Sequence, residues 1–140
     1  MNTELMFSSK KMDWTTPQDF FDELNQEFEF TLDVASSKEN HKCNKYFTEE
    51  ENGLIQDWSN NVCFCNPPYG REIKKWVKKC YEEGKKENTI VVMLIPARTD
   101  TSYFHDYIYN KSEIRFIRGR LRFGDGKSPV PFPSMVVIYK

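Results

Sequence analysis

Four consecutive residues, Asn66, Pro67, Pro68 and Tyr69, have the types and spacing best suited to chemistry in this sequence. An exocyclic amine on an aromatic ring, such as that of adenine, is a poor nucleophile because its lone pair is delocalised into the ring. Two acceptors aimed at its N–H bonds, the Asn66 side-chain oxygen and the Pro67 carbonyl, would draw that lone pair toward an electrophile. Each proline restricts its own backbone and that of the residue before it. The acceptors are therefore held in place, and such preorganisation makes hydrogen bonds catalytic.

Tyr69 adds a flat face on which a base can stack. A base inside a duplex cannot reach such a pocket, so the target nucleotide must be flipped out at a cost of a few kcal/mol. Stacking on Tyr69 would offset about 1 to 3 kcal/mol of that cost. The alternative is a Pro-Pro turn with Tyr69 packed on the surface; the position of the motif at a strand end favours the first interpretation.

The residues around this motif form the pattern of an α/β unit. Residues 62–65 predict a short strand that stops at the prolines, and residues 90–95 form the continuous apolar run typical of a buried parallel strand. Between them, apolar residues at helical spacing predict a helix that stops at Gly84. These apolar residues are Ile73, Trp76, Val77, Cys80 and Tyr81.

The N-terminal part predicts a helix followed by a strand. Thr16 is a capping residue and Pro17 fits a first helical position, so a helix is expected over residues 17–27. Residues 28–34 predict a strand, and Asp33 near its end is a candidate site residue because a buried strand-end carboxylate is typical of functional sites.

The C-terminal part predicts a polar loop, a helix and three strands. The loop is expected at residues 97–101, followed by a helix with one apolar face. The helix face carries Phe104, Tyr107 and Ile108, the strands cover residues 114–117, 121–123 and 135–139, and a turn lies at residues 124–126.

The order of these elements predicts an α/β fold with a mostly parallel sheet, helices on both faces and an antiparallel edge. Ligands of such folds bind beyond the carboxyl ends of the strands. Asp33, the motif at residues 66–69 and the loop at residues 98–100 all fall at that edge.

Length and composition favour one domain. The chain has 140 residues, of which 39% are hydrophobic and 15% aromatic, so we expect a single domain with a flexible segment at residues 1–13, no separate target-recognition domain and no dominant disorder. The longest apolar run, residues 90–97, is too short for a membrane span of about 20 residues. Residues 1–13 lack the apolar core of a signal peptide. A soluble, cytoplasmic protein is therefore expected.

The four cysteines contain no C-x-x-C pair and are expected to be reduced thiols. They are Cys43, Cys63, Cys65 and Cys80. The alternative is a zinc site formed by His41, Cys43, Cys63 and Cys65, but their spacing matches no standard zinc signature. We therefore expect no metal.

The net charge of −1 conceals an asymmetry. Residues 1–60 hold 5 Lys/Arg against 13 Asp/Glu, whereas residues 61–140 hold 15 against 8. The second part is thus a candidate surface for a polyanion, with aromatic Phe116 and Phe123 interleaved among basic side chains. The basic residues in question are Lys111, Arg115, Arg118, Arg120, Arg122 and Lys127. On charge alone, a solvated strand face explains this pattern equally well.

From Trp14 to Tyr139 the chain resembles the phage-type DNA N-6-adenine methyltransferases, the Dam domain family. Individually several of the matching stretches are weak, but their order is specific. They are residues 14–17, 20–22, 30–35, 46–48, 52–54, 65–71, 94–101, 116–121 and 131–134.

The resemblance implies methyl transfer from S-adenosylmethionine to adenine N6 in DNA, on a shortened class I (Rossmann-like) methyltransferase sheet. Asn66, Pro67, Pro68 and Tyr69 would then be the catalytic and target-adenine residues. The implied cofactor residues are Asp33 in the cofactor motif, Thr16 and Pro17 at the methionine end, Asp57 at the cofactor adenine, and Ala35 and Asn66.

One departure from class I methyltransferases is the absence of a Gly-x-Gly loop after the first acidic residue. Asp33 is instead followed by Val34, and small residues then occupy the position of the glycines: Ala35, Ser36 and Ser37.

DNA contacts are expected from five arginines and one aromatic residue: Arg71, Arg98, Arg118, Arg120, Arg122 and Phe132. Phe132 is a candidate for packing on a flipped base, although a core role is favoured. Arg98 and Asp100 are candidates for holding the substrate. A structural role, in which they cap a helix and form a salt bridge, explains them equally well.

Two other functions remain open at this point. A protein glutamine methyltransferase would use the same acceptors on a side-chain amide, although the basic second part of the chain argues against it. A DNA-binding module that kept the fold and lost the cofactor would account for the missing Gly-x-Gly loop. The sequence contains no pattern that predicts the oligomeric state, the DNA recognition sequence or the biological role, such as protection from host restriction.

Overall fold

Within the part of the chain that the structure describes, five strands form one mixed sheet with a helix on each face. The structure, a computed structural model, describes residues 14–124 and 129–140. The strands are β1 (Leu32–Asp33), β2 (Val62–Cys65), β3 (Ile90–Pro96), β4 (Glu113–Phe116) and β5 (Ser134–Tyr139), and the helices are α1 (Gln18–Phe28) and α2 (Ile73–Glu83). A 3₁₀ turn at Gly53–Ile55 and a π-type turn at Phe104–Ile108 complete the elements.

The sheet confirms the α/β class predicted from the sequence. Its strand order is β1-β2-β3-β5-β4, and β1, β2 and β3 are parallel. Their carboxyl ends therefore meet at one edge, where ligands of such sheets bind. The antiparallel strand β5 lies inside the sheet between β3 and β4 rather than at its border. All six of its residues are buried, which explains its continuous apolar sequence.

Each face of the sheet has its own apolar core. Since successive strand residues point to opposite faces, Phe64 of β2 packs with α1, whereas Cys63 and Cys65 pack with α2. On the α1 side, Phe21 and Leu24 are the buried helix residues. The two clusters hold the loops at the carboxyl edge of β1 and β2 from both sides.

Three predicted elements differ in the structure. The strand expected over residues 28–34 is only Leu32–Asp33, because α1 continues to Phe28 and ends at Glu29 in a left-handed conformation with φ 55°. The helix after residue 101 is limited to the π-type turn, in which the Tyr109 N–H donates to the Phe104 carbonyl over 2.8 Å.

The strand expected over residues 121–123 does not form. The Leu121 carbonyl accepts from the Val130 N–H over 3.0 Å, and the Gly124 N–H donates to the Thr15 carbonyl over 3.0 Å. The path of this segment is therefore set by contacts with distant residues, and these place Phe123 in the core on the α1 side of the sheet. The turn predicted at residues 124–126 lies mostly outside the described residues, as do Lys127 and the expected flexible segment at residues 1–13.

The helix start at Thr16 also differs from the prediction. The capping position is held by Pro17, with no side-chain cap hydrogen bond. The Thr16 hydroxyl accepts instead from the Asn66 side chain. The Thr16 hydroxyl therefore bonds a side chain 50 residues away instead of capping α1.

The described part of the chain has no helix long and apolar enough to cross a membrane. Its four cysteines are free thiols. Across residues 14–124 and 129–140, no three His, Cys, Asp or Glu side chains come together as a metal site would need. The zinc alternative is not assembled because Cys43 packs on the α1 side while Cys63 and Cys65 face α2. His41 stacks on Tyr46 at 3.8 Å.

Candidate active site

A cleft of about 810 Å³ opens at the carboxyl ends of β1 and β2. Its size falls within the range of small-molecule and cofactor sites, about 300 to 1,000 Å³. Its walls come from the segment before α1, the loops after β1 and β2, the 3₁₀ turn at Gly53–Ile55 and one face of α2. Among the residues that line it are Trp14, Thr16, Asp33, Val34, Ala35, Ser36, Ser37, Thr48, Glu49, Glu50, Asn52, Gly53, Asn66, Pro67, Pro68 and Trp76.

Backbone hydrogen bonds hold the loop after β1 against the cleft. The Phe47 N–H donates to the Asp33 carbonyl over 2.9 Å, and the Ser36 N–H donates to the Phe47 carbonyl over 3.0 Å. Asp33 also makes a parallel bridge to Tyr46. The segment around Tyr46 thus acts as a partial neighbouring strand and fixes the small residues after Asp33 without a Gly-x-Gly loop.

Gly53 allows the opposite wall to approach this loop closely. A Cβ atom at this position would overlap the Val34 carbonyl, and the indole of Trp76 is 3.0 Å from that same point. No local sequence pattern reveals this contact between Gly53 and the residue that follows β1. The close approach supplies part of the floor of the cleft.

Asp33 carries a buried carboxylate at the mouth of β1, and only 3% of the residue is exposed. Its Oδ2 accepts from the Lys42 N–H over 2.8 Å, and its Oδ1 accepts from the Ala35 N–H over 3.4 Å. Burial raises the pKa of Asp33 from 3.8 to about 6, and these hydrogen bonds offset only part of that rise. The fold therefore carries a destabilising charge that faces the cleft above pH 6.

Asp33→Asn is expected to stabilise the cofactor-free protein at high pH. Because the folded-state pKa is raised, the ionised form costs stability above pH 6, and this cost disappears as the pH falls toward 4. We expect a gain of about 2 kcal/mol in the free energy of unfolding at pH 8 that shrinks steadily below pH 6. Urea denaturation at several pH values measures it; a loss of stability at pH 8 would contradict the desolvation account.

The Asn66 side chain is held by three hydrogen bonds. Its Nδ2 donates to the Trp14 carbonyl over 2.6 Å and to the Thr16 Oγ1 over 3.0 Å. Its Oδ1 accepts from the Tyr69 hydroxyl over 2.8 Å. That hydroxyl also lies 3.2 Å from the Leu94 carbonyl of β3. No local sequence pattern reveals the role of Trp14, because its contribution is a backbone carbonyl.

Tyr69 sits in an aromatic cluster beside the cleft, with Trp14, Phe123 and Phe132. Trp14 lies nearly parallel to the Tyr69 ring at 6.5 Å, and Phe132 meets it edge-on at 5.8 Å. Phe123 and Phe132 are buried core residues. Burial raises the pKa of the Tyr69 hydroxyl well above its usual value, so this group remains a hydrogen-bond donor.

Asp57 and Pro17 are not brought to the cleft, as judged from the residues that the structure describes. Asp57 accepts from the Ser59 N–H over 3.0 Å and from the Lys86 ammonium over 2.9 Å, and these contacts lower its pKa. Its side chain is 70% exposed. Asp57 therefore belongs to the outer surface behind the cleft wall.

Trp58 supports that wall from inside. Its indole N–H donates to the Gly53 carbonyl over 2.9 Å, and its backbone N–H donates to Glu83 over 2.8 Å. Glu83 is paired with Lys79 at 3.0 Å and with Lys86 at 2.8 Å. The wall is thus tied to α2 through a buried carboxylate.

The predicted DNA-contacting arginines are exposed at several places. They are Arg71, Arg98, Arg118, Arg120 and Arg122. Arg98 lies over the Phe132 ring at 5.9 Å, next to the aromatic cluster. Arg115, which contributed to the basic patch in the sequence, makes a two-bond pair with Glu27 at 2.7 Å and also contacts Glu113. Its charge is therefore largely neutralised within the protein.

A cleft at the carboxyl edge of parallel strands, with an Asn-Pro-Pro-Tyr turn at its rim, defines an α/β protein whose candidate site lies where ligands of such sheets bind. The model of the family described as DNA N-6-adenine-methyltransferase (Dam) matches residues 4–138. The chain belongs to this family.

Two relatives agree with this assignment. The DNA N-6-adenine-methyltransferase of Escherichia phage T1 is 36% identical over 110 residues, which cover 77% of this chain and 45% of the phage protein. YfdM of Escherichia coli strain K12, named provisionally as a methyltransferase, is 40% identical over 63 residues, or 40% of this chain and 69% of YfdM. The match thus spans less than half the length of the phage relative.

One solved structure is also similar. It is a protein of Thermoplasma acidophilum, again named provisionally as a methyltransferase. It covers 99% of this chain and 74% of its own at 9% identity, with a TM-score of 0.47.

Proposed function

We propose that this protein transfers a methyl group from S-adenosylmethionine to N6 of an adenine flipped out of DNA. The observation that carries the proposal is the placement of Asn66 at the junction of the cleft and the aromatic cluster. Membership of the Dam family and the name of the phage T1 relative support the choice of adenine and DNA.

The cleft residues fit an S-adenosylmethionine molecule in size and chemistry. Asp33 provides a buried acceptor, Ala35 keeps the backbone accessible, and Gly53 lets the facing wall pack closely against the Val34 carbonyl. We assign Asp33, Ala35, Thr16 and Asn66 to the walls that hold the cofactor, with Pro17 behind Thr16. When bound, S-adenosylmethionine supplies an electrophilic methyl carbon attached to a positively charged sulfur.

The motif residues would orient the amine of the adenine. The Asn66 Oδ1 and the Pro67 carbonyl accept its two N–H bonds and direct its lone pair toward the cleft. Tyr69 would stack on the flipped base, which requires Trp14 or Phe132 to give way because the cluster is packed closed. No general base is needed, since N6 can lose its proton after methylation.

The exposed arginines would hold the phosphate backbone of the DNA. Arg98 lies beside the aromatic cluster, and Arg118, Arg120 and Arg122 lie on the segment that leads to Phe123. Contacts with phosphates release counterions, so binding must weaken as salt is added. Arg71, next to the catalytic turn, would contact the strand that carries the flipped base.

The proposal is tested by the destination of a labelled methyl group. The protein is incubated with labelled S-adenosylmethionine and either unmethylated DNA or a protein extract. We expect label in DNA, with incorporation at subsaturating DNA falling as salt rises from 50 to 200 mM, as phosphate contacts require. Label in protein alone would instead support glutamine methylation, since a side-chain amide can meet the same two acceptors.

Calorimetry with S-adenosylmethionine is the companion control. Binding heat is expected because the cleft is built from small residues around an acceptor. A flat titration together with DNA binding would overturn the enzymatic proposal in favour of a DNA-binding module without cofactor.

A further inference from the structure

The amide of Asn66 has a defined orientation, and the partners that define it lie far away in sequence. A carbonyl oxygen can only accept hydrogen bonds, so the Trp14 carbonyl at 2.6 Å requires the nitrogen of the amide on its side. A rotation of the amide by 180° would place Oδ1 against that carbonyl. Two acceptors would then face each other without a proton between them.

Thr16 completes this arrangement. Its Oγ1 lies 3.0 Å from Asn66 Nδ2 and takes the second N–H. Only 4% of Thr16 is exposed, so water does not readily replace its hydroxyl. The two N–H bonds of the amide are therefore both used by the segment that precedes α1.

The oxygen of the amide keeps one lone pair for substrate. Tyr69 donates to Oδ1 over 2.8 Å and uses one of its two lone pairs. The other is available to an amine N–H. If the amide turned over, it would present N–H groups to the N–H groups of the amine, and the hydrogen bond needed for catalysis would be lost.

From these contacts we infer that Thr16 is a positioning residue, which with the Trp14 carbonyl locks the Asn66 amide with its oxygen toward the substrate amine. This inference rests on the proposed function, because it gives the orientation a catalytic purpose. It also gives Thr16 a role distinct from binding the methionine end of a cofactor: its hydroxyl acts on Asn66. The segment before α1 thereby becomes part of the catalytic apparatus.

The kinetic test compares Thr16→Val with Thr16→Ser in the full chain. Valine keeps the shape of threonine but cannot accept a hydrogen bond, so one N–H of Asn66 loses its partner within the protein. We expect kcat for DNA methylation at saturating cofactor to fall roughly tenfold or more. The dissociation constant of S-adenosylmethionine, measured by calorimetry for each variant, sets the cofactor concentration needed for saturation, and Thr16→Ser should restore most of the lost kcat.

The opposite pattern would overturn the inference. Unchanged kcat with weakened cofactor binding would make Thr16 a cofactor ligand only. Circular dichroism checks that Thr16→Val is folded. If it is not, Asn66→Asp tests the orientation of the amide instead. Aspartate retains an acceptor for the amine but brings a carboxylate oxygen toward the Trp14 carbonyl, so we expect at least a tenfold fall in kcat, whereas activity near that of the unsubstituted protein would contradict the lock.

A spectroscopic readout separates this inference from the proposed function. In the protein labelled with ¹⁵N, the Asn66 side-chain N–H₂ pair is assigned by its loss in Asn66→Asp. We expect both protons to exchange slowly with solvent, and one of them to exchange at least tenfold faster in Thr16→Val. Fast exchange of both protons in the unsubstituted protein would overturn the lock, whether or not DNA is methylated. If the Asn66 protons exchange slowly but DNA is not methylated, the proposed substrate is rejected and the lock on the amide stands.

Discussion

Asn66→Ala is expected to reduce methyl transfer to DNA by at least about 100-fold, the loss typical when a preorganised transition-state partner is removed. The substitution deletes the acceptor for the amine and leaves the Trp14 carbonyl and the Thr16 hydroxyl without their donor. Cofactor binding should largely persist, because most of the cleft wall is formed by other residues. Single-turnover kinetics at saturating S-adenosylmethionine measures the chemical step directly.

Asn44→Ala is the matched control for this prediction. Asn44 is exposed and does not line the cleft, among the residues that the structure describes. The same asparagine-to-alanine change should therefore leave the rate within about twofold, as usual for surface substitutions. Retained turnover in Asn66→Ala would remove Asn66 from the mechanism.

Trp58→Ala is expected to lower the free energy of unfolding by about 3 to 5 kcal/mol, the cost of removing a large aromatic side chain from a core. Trp58 is fully buried, stacks near Trp76 at 6.4 Å and holds the Gly53 carbonyl. Because Gly53 and Trp76 both line the cleft, cofactor affinity should fall as well. Urea denaturation and calorimetry give the two quantities.

Trp58→Phe isolates the hydrogen bond within this effect. Phenylalanine keeps much of the buried ring but cannot donate to the Gly53 carbonyl, so part of the loss should come from that unpaired acceptor, about 1 to 3 kcal/mol. The phenylalanine variant should lie between the parent and the alanine variant. If the free energy of unfolding of Trp58→Ala stayed within about 1 kcal/mol of that of the unsubstituted protein, the cleft wall would not depend on the Trp58 side chain.

The central α/β unit was predictable because its signals are local. Residues 62–65, the helix with its stop near Gly84, and residues 90–95 match β2, α2 and β3 within a residue or two. Two prolines ended the first strand, and a continuous run of β-branched and other apolar residues defined the second. The motif at residues 66–69 consequently fell at the correct edge of the sheet.

The misplaced elements depend on contacts between distant segments. The buried position of β5 between β3 and β4 follows from sheet pairing, which a strand sequence does not encode. Residues 121–123 alternate like a strand but follow contacts with Thr15 and Val130 instead.

The same physics limited the prediction of the site. A threonine before a proline is a good local cap, yet Thr16 bonds Asn66. Arg115 counted as a free basic residue in the sequence, whereas the fold pairs it with Glu27, 88 residues away. Asp57 resembled a cofactor ligand in its sequence context, but its carboxylate is turned to Lys86 on the outer surface.

Mass spectrometry of nucleosides shows most directly whether the protein methylates adenine in DNA. Unmethylated DNA is incubated with the protein and S-adenosylmethionine before the nucleosides are analysed. We predict N6-methyladenine with the unsubstituted protein and none above background with Asn66→Ala. If calorimetry shows that the cofactor binds and N6-methyladenine is still absent, adenine in DNA is not the methyl acceptor and the account is contradicted.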